Sequence, residues 1–264
     1  GHPECVGATH EFYHVGPGET RRLDALRILD IGDGGCKQNK FARDIALLSE
    51  AVARDPGDAR AHFYLANSYK DTGQHEKAVE HYRKRIELGG WYEEVWYSHY
   101  SLGKCYRSMD DMPRAIAAWL AGYEQYPGRM ENLYEIIKHY RETGKSELAA
   151  RYYAWAKSIP KPEQDNLFMH HEVYDYLLDY EYTVFYYYLK KREVFPGRWI
   201  HDATYRMFRH GHAVPNVLSN YKFYAQALSK LPSTRIVRIQ APSAGDAFEA
   251  STPSLVVDAK RRLL

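Results

Sequence analysis

The first residues with the right types and spacing for chemistry stand near the start of the chain. His10-Glu11-Phe12-Tyr13-His14 reads H-E-x-x-H. At that spacing two imidazoles on one helix face can grip zinc while the glutamate between them activates water. The motif needs a helix, yet Gly16, Pro17 and Gly18 follow at once. The two histidines are therefore expected in a loop or strand, solvated. Gly32-Asp33-Gly34-Gly35 precedes a helix expected from near Asn39. Such a turn can offer backbone N–H groups to an anion at a helix N-terminus. No G-x-G-x-x-G and no Lys-Ser/Thr pair accompanies it, and a domain-junction turn is the preferred of the two readings. His170-His171 lacks a third ligand at helical spacing, so it reads as a helix start rather than a metal site. Cys5, Cys36 and Cys105 show no paired spacing, which argues against a disulfide framework or a zinc site and suits a reducing compartment. No catalytic residue is assigned in these residues.

The elements that would position any site come from a repeat. In residues 59–92, Leu65, Ala66, Tyr69, Gly73, Ala78, Val79 and Tyr82 alternate large and small side chains at helical spacing, and a D-T-G-Q break stands in the middle. The order returns at Leu102, Gly103, Tyr106, Ala115, Ile116 and Trp119, and again at Ile136, Ile137, Tyr140, Gly144, Ala149 and Tyr153. A two-helix unit of about 34 residues resembles the tetratricopeptide repeat. That resemblance implies an all-α fold, a right-handed superhelix of tetratricopeptide-like helix pairs. Small residues would sit where paired helices cross, and large ones would fill the gap to the next pair. The residues extra between the first two copies fall at Gly89-Gly90-Trp91-Tyr92, where a longer turn keeps both helices in register.

The division along the chain follows. Residues 1–38 do not repeat and read as the tail of a preceding catalytic domain or a linker. Residues 39–160 hold half a repeat, over 40–56, and three whole ones. Residues 161–232 are degenerate helices that close the array: an aromatic stretch over 167–191, then 199–210 and 214–231. Residues 233–264 carry the β-type runs IVRIQ and Leu255-Val256-Val257, read as a linker or the start of a following β domain. The formal net charge is +2, so no global field draws the chain to nucleic acid or an anionic membrane. No apolar run reaches ~18 residues and the sequence shows no basic-then-apolar signal-peptide pattern; a cytoplasmic protein without membrane contact is expected.

In tetratricopeptide stacks the first helix of each pair lines the concave face. Counted from Leu65, Leu102 and Ile136, that face is expected to carry an aromatic row, Phe63, Tyr100 and Tyr134. Beside it would stand Asn67, Lys104 and Lys138, then Lys70, Arg107 and Arg141, since i, i+4 and i+7 share a helix side. Rings stack on sugar or base faces and cations meet carboxylate or phosphate, so the groove would take a protein, glycan or acidic ligand. The plainer alternative is a solvated face, offset by Asp71, Glu131, Glu135 and Glu142. The chaperone-type carboxylate clamp is disfavoured, because Phe63 stands where that clamp places a lysine.

Roughly residues 5–190 also resemble the region after the catalytic domain of family-2, GT-A glycosyltransferases of bacteria and large DNA viruses. The most specific part is Gly89-Gly90-Trp91-x-Glu93-Glu94-x-Trp96-Tyr97, with Gly32-Asp33-Gly34-Gly35 upstream. By that resemblance His10 would complete a divalent-metal site, Mn or Mg, in the parent enzyme, although Phe12 replaces the family's tyrosine. The Asp-x-Asp motif that must hold the ion and the diphosphate together is missing from these residues. The expected function is thus a non-catalytic helical-repeat scaffold of a multidomain glycosyltransferase, needing no cofactor itself and touching the neighbouring domains of its polypeptide. A stand-alone adaptor for an extended peptide is one alternative; an active sugar-nucleotide transferase, once joined to its other half, is another.

Overall fold

A computed structural model describes residues 4–7, 9, 12–14, 40–163, 168–190, 197–210, 214–221, 223, 236–237 and 256–257. The chain separates into two compact units, Gly1–Tyr126 and Pro127–Leu264.

Among the described residues, unit 1 holds five helices: α1 (Lys40–Arg54), α2 (Ala59–Asp71), α3 (His75–Leu88), α4 (Tyr92–Ser108) and α5 (Met112–Gln125). The half repeat expected over 40–56 is α1. It lays Leu48 against Ala61 and Leu65 of α2, with Ile45, Ala51 and Val52 around them. Asp58 caps α2 by accepting from the Ala61 N–H at 2.9 Å. Asp111 caps α5 by accepting from the Arg114 N–H at 3.1 Å, with a proline in the first turn, where a missing N–H costs nothing. α2 pairs with α3 and α4 with α5 as the repeat requires, and Ala66, Ala78 and Ala115 are fully buried.

Gly103 is more demanding than its partners. A Cβ on it would lie 2.5 Å from Cδ1 and 2.6 Å from Cε2 of Trp119, so the indole occupies the space a side chain would need. The Trp119 Nε1–H donates to the Tyr100 carbonyl at 3.1 Å, which fixes the ring there.

The extra residues between the first two copies do not simply lengthen a loop. α4 begins at Tyr92 and runs for 17 residues, against 13 in α2. Part of the insertion has become helix, with Glu93 and Glu94 in its first turn, where the helix dipole favours them. Gly89 and Gly90, at φ +66° and +95°, make the preceding turn. Arg85, 1 % exposed, ties it shut: its guanidinium donates to the carbonyls of Gly89 and Trp91 and to the Glu94 carboxylate at 3.1 Å. The motif behind the glycosyltransferase resemblance is therefore a structural clasp at its Gly89, Trp91 and Glu94.

Unit 2 contains α6 (Glu131–Glu142), α7 (Ser146–Lys157), α8 (Leu178–Phe185), α9 (Gly197–His210) and α10 (Val214–Tyr221). The aromatic stretch expected over 167–191 is one continuous helical run in its described part. A π-helical turn at Val173–Leu177 leads into α8, and a 3-10 turn at Tyr186–Tyr188 ends it. Tyr182 stacks on Tyr153 of α7 at 4.3 Å, with Phe185 and Trp199 edge-on to the pair. α8 seals the last repeat. Its Asp179 accepts from the Tyr153 hydroxyl and the Lys157 ammonium, both at 2.8 Å, and pairs with Arg206 of α9 at 3.3 Å. Its Glu181 takes Arg141 of α6 at 2.5 Å.

The turn inside each pair needs a left-handed residue. Gly73 and Gly144 provide it at φ +75° and +70°, and in the second repeat Asp110 does so at φ +60°. Aspartate tolerates this region better than most residues but still pays a Cβ penalty. Asp110→Gly is expected to stabilise unit 1 by about 0.5–1 kcal/mol, read as a raised urea midpoint with an unchanged slope. A lowered midpoint would mean that the Asp110 side chain holds the turn.

Near the start, β1 (Glu4–Val6) pairs antiparallel with β2 (Phe12–His14), Glu4 opposite His14. His14 thus ends a strand, and the described half of the H-E-x-x-H segment lacks the helix that zinc chelation requires. Near the end, β3 (Ile236–Val237) pairs antiparallel with β4 (Val256–Val257). The turn at 32–35 lies outside the described residues, as do Gly211 and Pro232, the expected boundaries of the last helices. No helix among the described residues is long and apolar enough to cross a membrane.

Candidate functional site

The expected groove residues fall on two units and are best taken unit by unit. In unit 1, Phe63, Asn67 and Lys70 lie on α2, and Tyr100, Lys104 and Arg107 on α4. The polar members remain reachable, with Lys104 exposed and Asn67, Lys70 and Arg107 half-buried. The aromatic row does not line the surface. Phe63 is 0 % and Tyr100 4 % exposed. Phe63 packs edge-on to Tyr64 and Tyr97, and Tyr100 stacks on Trp96 at 5.7 Å. The offset chosen from the sequence points into the packing between helices.

A ring beside this row that does reach the surface is Tyr97, which the sequence-based groove did not include. It is half-buried on α4, 5.9 Å from Phe63 and 6.0 Å from Tyr100. Lys70 reaches across from α2 to stand 5.6 Å over it. Lys104 stands 5.3 Å over Tyr100. Lys70 also pairs with Asp71 at 3.4 Å, on the exposed side. Such ring contacts contribute ~0.5–1 kcal/mol at exposed sites, enough to bias a lysine's position without neutralising it. Asn67, one turn before Lys70 on α2, has an Oδ1 that accepts from the buried Tyr82 hydroxyl at 2.6 Å. The tyrosine takes the amide's oxygen, so Asn67 can offer a ligand its Nδ2–H donors.

In unit 2 the corresponding residues are engaged elsewhere. Tyr134 is buried. Arg141 grips Glu181 through Nε and also contacts Glu142 at 3.5 Å. The field of Lys138 falls on the same Glu181, whose carboxyl burial holds above its ordinary value against the pull of Arg141 and Lys138. α8 has thus brought a buried carboxylate to the basic row expected here.

The chemistry available is that of binding. Cys105 lies between the two helices' cations, and burial pushes its thiol up to about 11, so the thiolate is scarce at neutral pH. Burial also lowers the His99 imidazole from its usual value. Among the described residues, no group of three or more His, Cys, Asp or Glu side chains is placed to enclose a metal ion. His10, the residue assigned to a metal by resemblance, lies outside the described residues. His170 and His171 stand at the start of the helical run that leads into α8, the backbone N–H of His170 facing Glu131 at 3.4 Å.

Comparison with known proteins agrees with the helix pairs. Residues 36–90 match the tetratricopeptide repeat family model. No curated protein matches the chain. Among solved structures, the chain is similar to YrrB, described as a TPR protein with an unusual peptide-binding site. Identity there is 17%, over 70% of this chain and 84% of that one, at a TM-score of 0.48. MamA protein matches at 17% identity over 71% and 86%, with a TM-score of 0.47. A TPR repeats protein from Bacteroides fragilis matches at 12% over 73% and 92%, with a TM-score of 0.40. The chain carries a tetratricopeptide-type repeat region, matched by the family model over residues 36–90 and built as stacked helix pairs.

Proposed function

We propose that the chain is a non-catalytic binding module whose α2–α4 face in unit 1 holds an extended, acidic segment of a partner protein. The observation that carries this reading is the pair of lysines, Lys70 and Lys104, each poised over a tyrosine ring, with the Asn67 amide on α2 oriented by Tyr82. Carboxylates of an extended peptide would meet the two ammonium groups and Arg107. The asparagine would donate to a backbone carbonyl, and Tyr97 would cover an apolar side chain or methylene stem. Glycans and nucleotides are competing ligands for the same face.

The test is binding of acidic peptides, neutral glycans and nucleotides to the wild type and to a Lys70→Glu, Lys104→Glu, Arg107→Glu triple variant, at low and moderate salt. The expected result is acidic-peptide binding that weakens with salt and is lost in the variant. Equal binding by both proteins, or none by the wild type, would reduce the face to a wall of the scaffold. The glycosyltransferase setting and a metal role for His10 are proposed on the sequence resemblance, and a cytoplasmic location on cysteines without paired spacing, which suit a reducing compartment. Coding sequence upstream of Gly1 bearing Asp-x-Asp in a Rossmann-like pattern would support that parentage.

A further inference from the structure

A second cluster lies apart from the lysine face, where α2 and α3 of the first repeat meet the Pro56 turn. His62 of α2, 5 % exposed, and half-buried His81 of α3 point their Nδ1 atoms at each other across 2.9 Å. The Nε2 of His62 lies 3.2 Å from the Pro56 carbonyl. A carbonyl only accepts, so that nitrogen carries the hydrogen and the His62 Nδ1 presents a lone pair. The His81 ring is held in its turn by stacking on Tyr69 at 5.6 Å and 17°. An imidazole donating its other N–H to a backbone carbonyl is the usual arrangement behind a metal-ligating histidine.

We propose that His62 and His81 form a two-imidazole site for a divalent transition metal of the nickel or copper type. Two metal–nitrogen bonds of about 2.0–2.1 Å meeting at a right angle span about 2.9 Å, the separation found here; tetrahedral zinc would need about 3.3 Å. Tetragonal coordination by nitrogen and oxygen suits Cu(II) and Ni(II). Without the ion, one hydrogen bridges the pair from the His81 Nδ1. With it, His81 takes the Nε2–H tautomer and both Nδ1 lone pairs face the metal, with no net change in protons on the pair. Two protein ligands leave the remaining positions to water. An open cavity of about 480 Å³ beside the pair gives those waters room; Glu76, Glu80 and Glu87 line it together with Arg83 and Lys84, and Lys84 pairs with Glu87 at 3.0 Å. Because the ligands come from two helices, the ion would staple the first helix pair.

The experiment adds Ni²⁺ or Cu²⁺ alone to the tag-free full chain at pH 7.5, followed by calorimetry, thermal melting and, for copper, the nitrogen hyperfine pattern. Saturable one-to-one binding with a raised Tm and two-nitrogen ligation is expected. His81→Gln, at a half-buried position, should weaken it at least about tenfold, as should His62→Gln if it folds. A His170→Gln/His171→Gln variant should bind like the wild type, which would exclude the chain's adjacent histidine pair as the source of the signal. Absence of saturable binding in the wild type, or an unchanged isotherm in His81→Gln, would overturn the site and leave the pair as a shared-proton contact.

Discussion

Arg129→Met is expected to lower the stability of unit 2 by about 3–5 kcal/mol. Arg129 and Glu131 are both 0 % exposed, and their groups meet at 2.6 Å. Arg129 also donates to the Phe168 carbonyl at 3.0 Å. Glu131 accepts from the Tyr174 hydroxyl at 2.6 Å and faces the His170 N–H at 3.4 Å. The same Tyr174 oxygen accepts from the Met130 N–H at 3.2 Å, where α6 lacks a side-chain cap. Removing the guanidinium strands a carboxylate where water does not reach, and two neutral donors cannot replace a full positive charge. Urea unfolding followed by near-ultraviolet dichroism of the tyrosine-rich core would measure it. A double Arg129→Met/Glu131→Leu variant should recover a large part of the loss, because no charge is then left buried. A single-variant loss under about 1 kcal/mol would show that water enters and shields Glu131.

Gly103→Ala is expected to cost unit 1 about 3 kcal/mol, the upper end of the usual range for overpacking. One methyl group is a small change, but it would fall within the indole of Trp119. The ring is fully buried and anchored by its N–H to the Tyr100 carbonyl, so it cannot swing aside without losing that bond. The backbones of α4 and α5 must part instead. Pairing the change with Trp119→Leu separates steric conflict from helix propensity. Alanine favours the helix over glycine by ~1 kcal/mol, so in the leucine background Gly103→Ala should become neutral or stabilising. If the alanine costs the same in both backgrounds, the indole is not what the glycine accommodates.

The repeats were legible because their register is written in size. Small residues at Ala66 and Gly103 and aromatic ones at Tyr82 and Trp119 recur at one spacing, and the structure places them in paired helices. The face of the site was only half legible. A period of 3.6 says which residues share a helix side, but not which side the next helix will cover, and Phe63 and Tyr100 went to the covered side. Tyr97 was named only as part of the Gly89–Tyr97 motif and not for the groove, because it lies outside the offsets counted from Leu65, Leu102 and Ile136. The partner of Arg141 was hidden for a different reason. Glu181 lies 40 residues away, in a helix with no repeat signature and entered through a π turn that shifts its register. The ring-to-ring placement of His62 and His81 was equally invisible, since 19 residues and a turn separate them.

The way α8 closes unit 2 bears on how such a chain could lengthen over evolutionary time. Glu181 and Asp179 hold residues that belong to the repeat itself: Arg141, Tyr153 and Lys157. A tandem duplication of residues 130–160 inserted ahead of α8 would deliver a fresh copy of all three to the same two carboxylates. The closing helix therefore recognises the last repeat by type rather than by number. Growth by copying would meet its obstacle at the interior junction, where the older Arg141 would face a new helix with no carboxylate supplied by α8. An acidic substitution there, in the inherited copy, would be the step that makes the longer array stable.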